Sequence, residues 1–301
     1  MVQRIVATIL MVGCLAAGLS ACGSGEQTTT RISFLPSTPA KGSTWTWSSA
    51  CRAAPHAPSG CAAAGPDLAG HAQLAGNEWN LGSAASTAAT DGVSMSVSSS
   101  GGLQLRGDLS SAPPCTDGSC IAPQANTWVR GYPSVLYGID QCNAATSPRP
   151  STTLRLPASV ASIPDDLVGG TAYESQASQV TYDVAYDLWL NGVPNDEVMI
   201  WTDNHGQYPA GSRFAANVSL SGHTWDVYAT SGNGYLAFVP SGGARLTSGA
   251  LDIKAMLTYL VGQGRVAASS TVDQVCYGVE IVDTGGAPAT WHFTNFSITD
   301  S

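Results

Sequence analysis

Thr181-Tyr-Asp-Val-Ala-Tyr-Asp-Leu-Trp-Leu190 and Glu197-Val-Met-Ile-Trp201 are the two runs whose period decides the fold. In the first, Tyr182, Val184, Tyr186, Leu188 and Leu190 share one parity, and Asp183, Ala185, Asp187 and Trp189 share the other. Successive strand side chains point to opposite faces, so this period of two predicts a strand with an apolar face and an acidic, aromatic face. The second run divides likewise: Val198 and Ile200 take one side, and Glu197, Met199 and Trp201 the other. Working outward, Val93-Ser-Met-Ser-Val97, Leu103-Gln-Leu105, Thr224-Trp-Asp-Val-Tyr228 and Tyr235-Leu-Ala-Phe-Val239 show similar short alternation, and Val275 to Val282 and Trp291 to Ile298 have strand composition. Gly, Ser, Asn and Pro clusters separate these runs, which is the pattern of an all-β sandwich or barrel.

The period changes once. Between residues 249 and 262, Ile253, Met256, Leu257, Leu260 and Val261 fall at helical spacing, with Ser248 as the expected cap and Gly262 as the expected end. One sandwich domain over residues 43–301 with a single helix packed on it is therefore expected.

Composition narrows the function. The chain has 301 residues and 44% hydrophobic content, enough for a sizeable core. Only 11% of residues are charged, against about 25% in ordinary soluble domains. A formal charge of -9 repels a phosphate backbone and argues against nucleic acid as a partner.

The first 21 residues, one Arg4 followed by an apolar run and small residues, have the build of a secretory signal peptide. Leu19-Ser-Ala-Cys22 resembles the lipobox of bacterial lipoproteins, which implies an acylated Cys22 and an extracytoplasmic, membrane-anchored protein. The alternative is an ordinary secreted protein in which Cys22 is incidental. Acyl chains bind membranes with about 0.8 kcal/mol per buried CH2, so two or three would tether the domain durably. Residues 22–42, rich in Gly, Ser, Thr and Pro, read as a flexible linker. Cys51, Cys61, Cys115, Cys120, Cys142 and Cys276 remain as disulfide candidates in an oxidising compartment. Cys51 with Cys61 and Cys115 with Cys120 are the local pairs, although other connectivities stay open. No CxxC or HxxxH spacing occurs and the five histidines are scattered, so neither a metal nor a cofactor is expected.

Alternation extends to Tyr277-Gly-Val-Glu-Ile281, which places Tyr277, Val279 and Ile281 inward and Gly278 and Glu280 outward. A sheet face bearing two glutamates, an aspartate and flat tryptophans suits a sugar polymer: aromatic faces stack on apolar sugar faces, and carboxyls perform proton transfers. Taken alone, the same acids also fit a merely solvated strand face.

Motifs on these strands carry a family resemblance. Asn77-Glu-Trp-Asn80, Gly131-Tyr-Pro-Ser134, Ala185-Tyr-Asp-Leu-Trp189, Glu197-Val-Met-Ile-Trp201, Gly222-His-Thr-Trp-Asp-Val-Tyr228 and Gly278-Val-Glu280 resemble, in that order, the motif series of glycoside hydrolase family 12 over roughly residues 70–301. The resemblance implies a β-jelly roll of two curved antiparallel sheets and a retaining, endo-acting hydrolase of β-1,4-glucans. By motif, Glu197 would be the nucleophile, Glu280 the general acid/base, and Asp187 a neighbour tuning Glu197. Asn77, Trp79, Met199, Trp201 and Pro209 would contact the sugar, with Met199 beneath the reacting ring. A retaining enzyme needs carboxyls about 5 to 5.5 Å apart, one ionised and one protonated. The chain departs from the family after Glu280, where Ile-Val-Asp-Thr-Gly-Gly286 lacks the aromatic expected there. The expected partner is a cellulose-like, mixed-linkage or xyloglucan chain, and an open cleft with a lipid tether needs no second subunit. A non-catalytic glycan-binding lipoprotein on the same sandwich is the competing reading.

Overall fold

The run from Thr181 to Leu190 is one unbroken strand, and its apolar parity is sealed, with Val184, Tyr186, Leu188 and Leu190 at 0% exposure. The computed structural model describes residues 30–35, 45–48, 72–75, 92–97, 102–109, 129–138, 156, 158–163, 168–175, 180–192 and 195–300. In chain order the strands are β1 (Thr30–Leu35), β2 (Trp45–Ser48), β3 (Ala72–Ala75), β4 (Gly92–Val97), β5 (Leu103–Asp108), β6 (Ser134–Gly138), β7 (Ala158–Ser159), β8 (Val168–Ser175), β9 (Thr181–Leu190), β10 (Asp196–His205), β11 (Ser212–Leu220), β12 (His223–Ala229), β13 (Tyr235–Pro240), β14 (Ser248–Asp252), β15 (Thr271–Asp283) and β16 (Ala289–Asp300). The helix α1 (Ile253–Gly262) lies between β14 and β15.

The strands form two sheets. One runs β14-β8-β16-β5-β4-β2, with β1 also pairing β16; the other runs β11-β12-β13-β10-β9-β15-β6-β3, with β7 also pairing β15. Between them lies a single core, in which Met95, Leu105, Trp291 and Phe296 of the first sheet meet Tyr186, Leu188, Val198, Ile200 and Tyr277 of the second. The Tyr277 ring lies 5.9 Å from Phe296 at 18° and 4.6 Å from Tyr186. Each such side chain taken from water contributes about 1.5–3 kcal/mol, and the aromatic pairs fix how the sheets register.

Four features differ from the sequence reading. Thr30–Leu35 falls inside the stretch read as linker, yet it pairs antiparallel with β16 from Thr30↔Asp300 to Leu35↔Phe296. The alternation Arg31-Ile-Ser-Phe34 is short and is masked by Gly, Ser, Thr and Pro around it. Trp45–Ser48, inside the expected domain but outside the runs read as strands, pairs with β4. The helix begins later than expected because Ser248–Asp252 pairs with β8; Asp252 then caps it, accepting from the Ala255 amide at 2.7 Å. Asp caps as well as Ser does, and the pairing satisfies five residues' backbone that a longer helix would have used instead. Ile253, Met256, Leu257 and Leu260 are buried as the spacing requires.

The fourth difference shapes the functional face. β10 and β13 run parallel, from Glu197↔Tyr235 to Ile200↔Phe238, in a sheet whose other pairings are antiparallel among the described strands. Ser212 pairs Ala229, Ala229 pairs Leu236, and Leu236 pairs Val198, so β11 starts level with Val198 although β10 has run on to His205. Residues 206–211 must therefore travel back along the sheet and across β13 and β12. They do so over the face opposite the core: Ala210 is buried among Ala185, Met199, Trp201, Tyr235 and Ala237. Gly211, at φ +81°, ends the crossing where a Cβ would overlap the Ala229 carbonyl.

Candidate active site

The face of the second sheet turned away from the core carries the acids. β9 presents Asp183, Ala185, Asp187 and Trp189; β10 presents Glu197, Met199 and Trp201; β15 presents Cys276, Gly278 and Glu280; β13 presents Tyr235. Asp183 is directly opposite Glu280, and Asp187 is flanked by Met199 on one side and Cys276 on the other. Gly278 lies level with Ala185 and Ser134, where a Cβ would overlap the Pro133 carbonyl and Ser134 itself. That close approach continues in residues 130–133, which bond along β15 through Arg130 N to Ile281 O (2.8 Å) and Ile281 N to Gly131 O (3.0 Å). It seats Tyr132 with its hydroxyl donating to the Ala185 carbonyl at 2.9 Å.

Glu197 pairs with Trp189 and Glu280 with Asp183, so the two glutamates stand on opposite sides of β9, with 189 − 183 = 6 residues between their levels. On a flat sheet that offset is about 20 Å, beyond the reach of screened charges. The Glu280 charge nonetheless acts on Glu197. Sheet twist and two long side chains are what can shorten that separation.

Burial sets the electrostatics. Asp183 is 0% and Asp187 5% exposed, while Glu197 and Glu280 are partly open. Burial and then the Glu280 charge hold Asp183 well above the usual carboxylate range. Burial, then Glu280, push Asp187 up to about 8 against the opposing Trp189 hydrogen bond, Nε1 donating to Oδ2 at 2.9 Å. Glu197 is raised well above its ordinary value by burial, then by Asp187 and Glu280. Glu280 is raised by burial, while hydrogen bonds from Asp183 and Gln207 draw it back. Four acids crowded in this way cannot all ionise, so they share protons and titrate as a group.

The profile of glycosyl hydrolase family 12 matches residues 72–300. The chain belongs to that family. Among curated proteins, Endoglucanase S of Pectobacterium parmentieri is 27% identical over 180 residues, which is 54% of this chain and 64% of that protein. Among solved structures, a family 12 xyloglucanase from Bacillus licheniformis with bound ligand superposes with TM-score 0.56 at 20% identity, over 76% of this chain and 92% of the other. A metagenome-derived family 12 endoglucanase gives TM-score 0.59 at 22% identity, over 86% of this chain and 98% of the other. The xyloglucanase domain of a type three effector from Sinorhizobium fredii, in complex with cellobiose, gives 0.55 at 22%, over 77% and 93%. The two-sheet sandwich is thus the family 12 β-jelly roll.

Within this family 12 fold, Glu197, Glu280, Asp187, Met199 and Trp201 come together on one face, as alternation requires. Met199 and Trp201 are each only 1% exposed beneath Ala210 and Tyr235, so they form the floor of the site rather than an open stacking platform. Sequence alternation assigns their face but not the segment that crosses it. Pro209 lies on that segment and is half-buried. Asn77, Trp79, Cys22, Cys51, Cys61, Cys115, Cys120 and Cys142 lie outside the described residues. Cys276 is buried beside Tyr132 and Leu136, and its Sγ accepts from Gln274 at 3.4 Å. Three residues not singled out from sequence belong to the site: Asp183 and Gln207 bond Glu280, and Tyr235 stands level with Glu197 at 8% exposure. Asp183 already lay on the correct parity, and Tyr235 began a recognised strand. Gln207 gave no signal, because a loop contact has no period.

Proposed function

We propose that this protein is a retaining, endo-acting β-1,4-glucanase acting on cellulose-like glucan, mixed-linkage β-glucan or xyloglucan. One observation carries the reading: two glutamates, from strands on either side of β9, lie on the same face of the sheet among buried acids, and the Glu280 charge helps to raise Glu197. Glu197 attacks the anomeric carbon while Glu280 gives its proton to the departing glycosidic oxygen. The glucosyl ester so formed is neutral, which removes repulsion on Glu280 and lets its carboxylate take a proton from the attacking water. Two inversions restore the original configuration. Asp187, raised by burial and then by Glu280, shares protons with its neighbours, and each proton it holds spares Glu197 a neighbouring charge as Glu197 ionises to attack. Met199 and Trp201 hold the floor under the reacting ring, and Trp189, partly exposed, offers an aromatic surface beside Glu197. Acylation of Cys22 would tether this activity to a membrane.

The test is release of reducing ends from xyloglucan, barley-type β-glucan and carboxymethylcellulose between about pH 4 and 8, with Glu197→Gln as control. Wild type should cleave at least one substrate and yield the β-anomer first by proton NMR. Glu197→Gln, which removes charge at nearly constant shape, should lose turnover by at least about a thousandfold and keep glycan binding. A folded wild-type protein that binds all three polymers and leaves them intact would replace this reading with a glycan-binding module.

A further inference from the structure

We propose that Asp183 is a neutral, proton-carrying partner of Glu280 that stabilises the Glu280 carboxylate as the leaving group departs, a positioning role that rests on reading Glu280 as the acid/base. Asp183 sits directly across from Glu280 in the β9–β15 register and is 0% exposed. Among the described residues, neither of its oxygens receives a hydrogen bond from an N–H or hydroxyl group. The group that faces it is the Glu280 carboxyl, and two carboxyl groups bond only with a proton between them. An ionised Asp183 there would be a buried charge whose donor is the Glu280 proton, and that donor is lost once Glu280 acts as the acid, leaving two anions side by side, so Asp183 keeps its own proton instead.

The surroundings all push the same way. From β9 comes Asp187, from β10 Glu197, from β13 Tyr235 and from residues 130–133 Tyr132, each sensing the same negative charges; Gln207 donates to Glu280 from the crossing segment. Cys276 faces the site from β15 itself. Asp183 thus offers Glu280 a neutral O–H. While Glu280 is protonated that bond is ordinary; once Glu280 has given its proton away the bond becomes charge-assisted and roughly twice as strong. The interaction strengthens along the reaction coordinate, which is the condition for it to accelerate the step.

Two measurements test this. The first is independent of activity: carbon-13 NMR of protein labelled at aspartate carboxyls, with the Asp183 signal assigned by its loss in Asp183→Asn. It should stay at the neutral-carboxyl shift from pH 4 to 7; titration near the ordinary aspartate value overturns the proposal. The second compares pH-rate profiles on the best glucan. Asp183→Asn keeps a donor where the O–H was, so its alkaline limb should stay within about 0.3 units of wild type and kcat within about threefold. Asp183→Ala removes the donor and should lower kcat about tenfold or more and move that limb upward. A downward move of about one unit in Asp183→Asn, the sign of a lost negative charge, overturns the proposal, as does an unchanged kcat in folded Asp183→Ala. If wild type cleaves no glucan, the function reading fails while the NMR titration still decides the state of Asp183.

Discussion

Glu280 is the residue whose role is easiest to separate from that of its neighbours. A general acid matters in proportion to how poor the leaving group is, so a sugar hydroxyl needs it and an activated phenolate does not. Glu280→Ala should lose about 10²- to 10⁴-fold on polysaccharide while still forming the glycosyl ester from aryl glucosides with acidic leaving groups. Turnover of those substrates should then stall for want of a base, and added azide, which needs none, should restore it and give the β-glycosyl azide. Product analysis by NMR checks this; no azide effect, or an α-azide, would move the acid/base role elsewhere. At this scale, the faces of Glu197, Asp187 and Glu280 were legible because parity is a one-dimensional property. The bond between Asp183 and Glu280 was not, because alternation says which face a residue takes but not which residue of the neighbouring strand stands opposite. The burial of Trp201 escaped for a related reason: its cover is Ala210, contributed by a turn rather than by a strand.

Gly278 shows what an element requires of a single position. It occupies the outward parity of β15 between Cys276 and Glu280, and the backbone of Pro133 and Ser134 lies where its Cβ would be. Gly278→Ala must push residues 130–133 away or bend β15, loosening the bonds along Ile281 and the Tyr132 hydroxyl on Ala185. Overpacking of this kind costs about 1–3 kcal/mol, which corresponds to a melting-temperature drop of roughly 3–10 °C in a domain of this size. Thermal unfolding followed by circular dichroism reads it, and since the strain falls two residues from Glu280, kcat should drop alongside. A variant with unchanged melting temperature would mean that β6 and β15 are not in this close contact. Strand existence was readable for β4, β5, β9, β10, β12, β13, β15 and β16 from alternating residue types or strand composition, although β9, β10, β13 and β15 are buried on both faces. β8 and β14 were not read from pattern, and β14 displaced the expected helix start. Ser248 and Asp252 are both good caps, so sequence alone does not rank a cap against an edge pairing.

The parallel β10–β13 pairing is a property of the whole sheet and lay beyond local pattern, since it follows from how residues 206–211 return the chain across β12 and β13. Its consequence is also molecular in scale, because that return packs Ala210 on the floor of the site and brings Gln207 to Glu280, beside acids that share protons. Asp183, Asp187, Glu197 and Glu280 are all raised in the folded state, first by burial and, for the first three, then by neighbouring acids, while hydrogen bonds from Asp183 and Gln207 hold Glu280 back. A raised carboxyl means that the native state binds more protons than the unfolded chain between the two pKa values. Unfolding free energy therefore falls as pH rises through that window. For Asp187 the window runs from 3.8 to about 8, with its contribution complete below the lower value and lost above the upper one. Asp226 goes the other way: burial would raise it, but hydrogen bonds from Arg213, the Asn217 amide and Ser241 lower it, so its share is lost only on acidification below the ordinary aspartate range. Together these place maximal stability near the ordinary carboxylate values, about pH 4. Melting temperature should fall by roughly 5 °C or more from pH 5 to 8.5. Asp187→Asn removes one of the four coupled ionisations and should flatten that fall, gaining stability over wild type at pH 8.5 and little at pH 5. Differential scanning calorimetry across this range checks both. A wild-type curve that is flat or rises toward pH 8.5 would mean that these acids ionise freely in the folded protein, and the proton sharing on which the proposed catalysis depends would have to be abandoned with it.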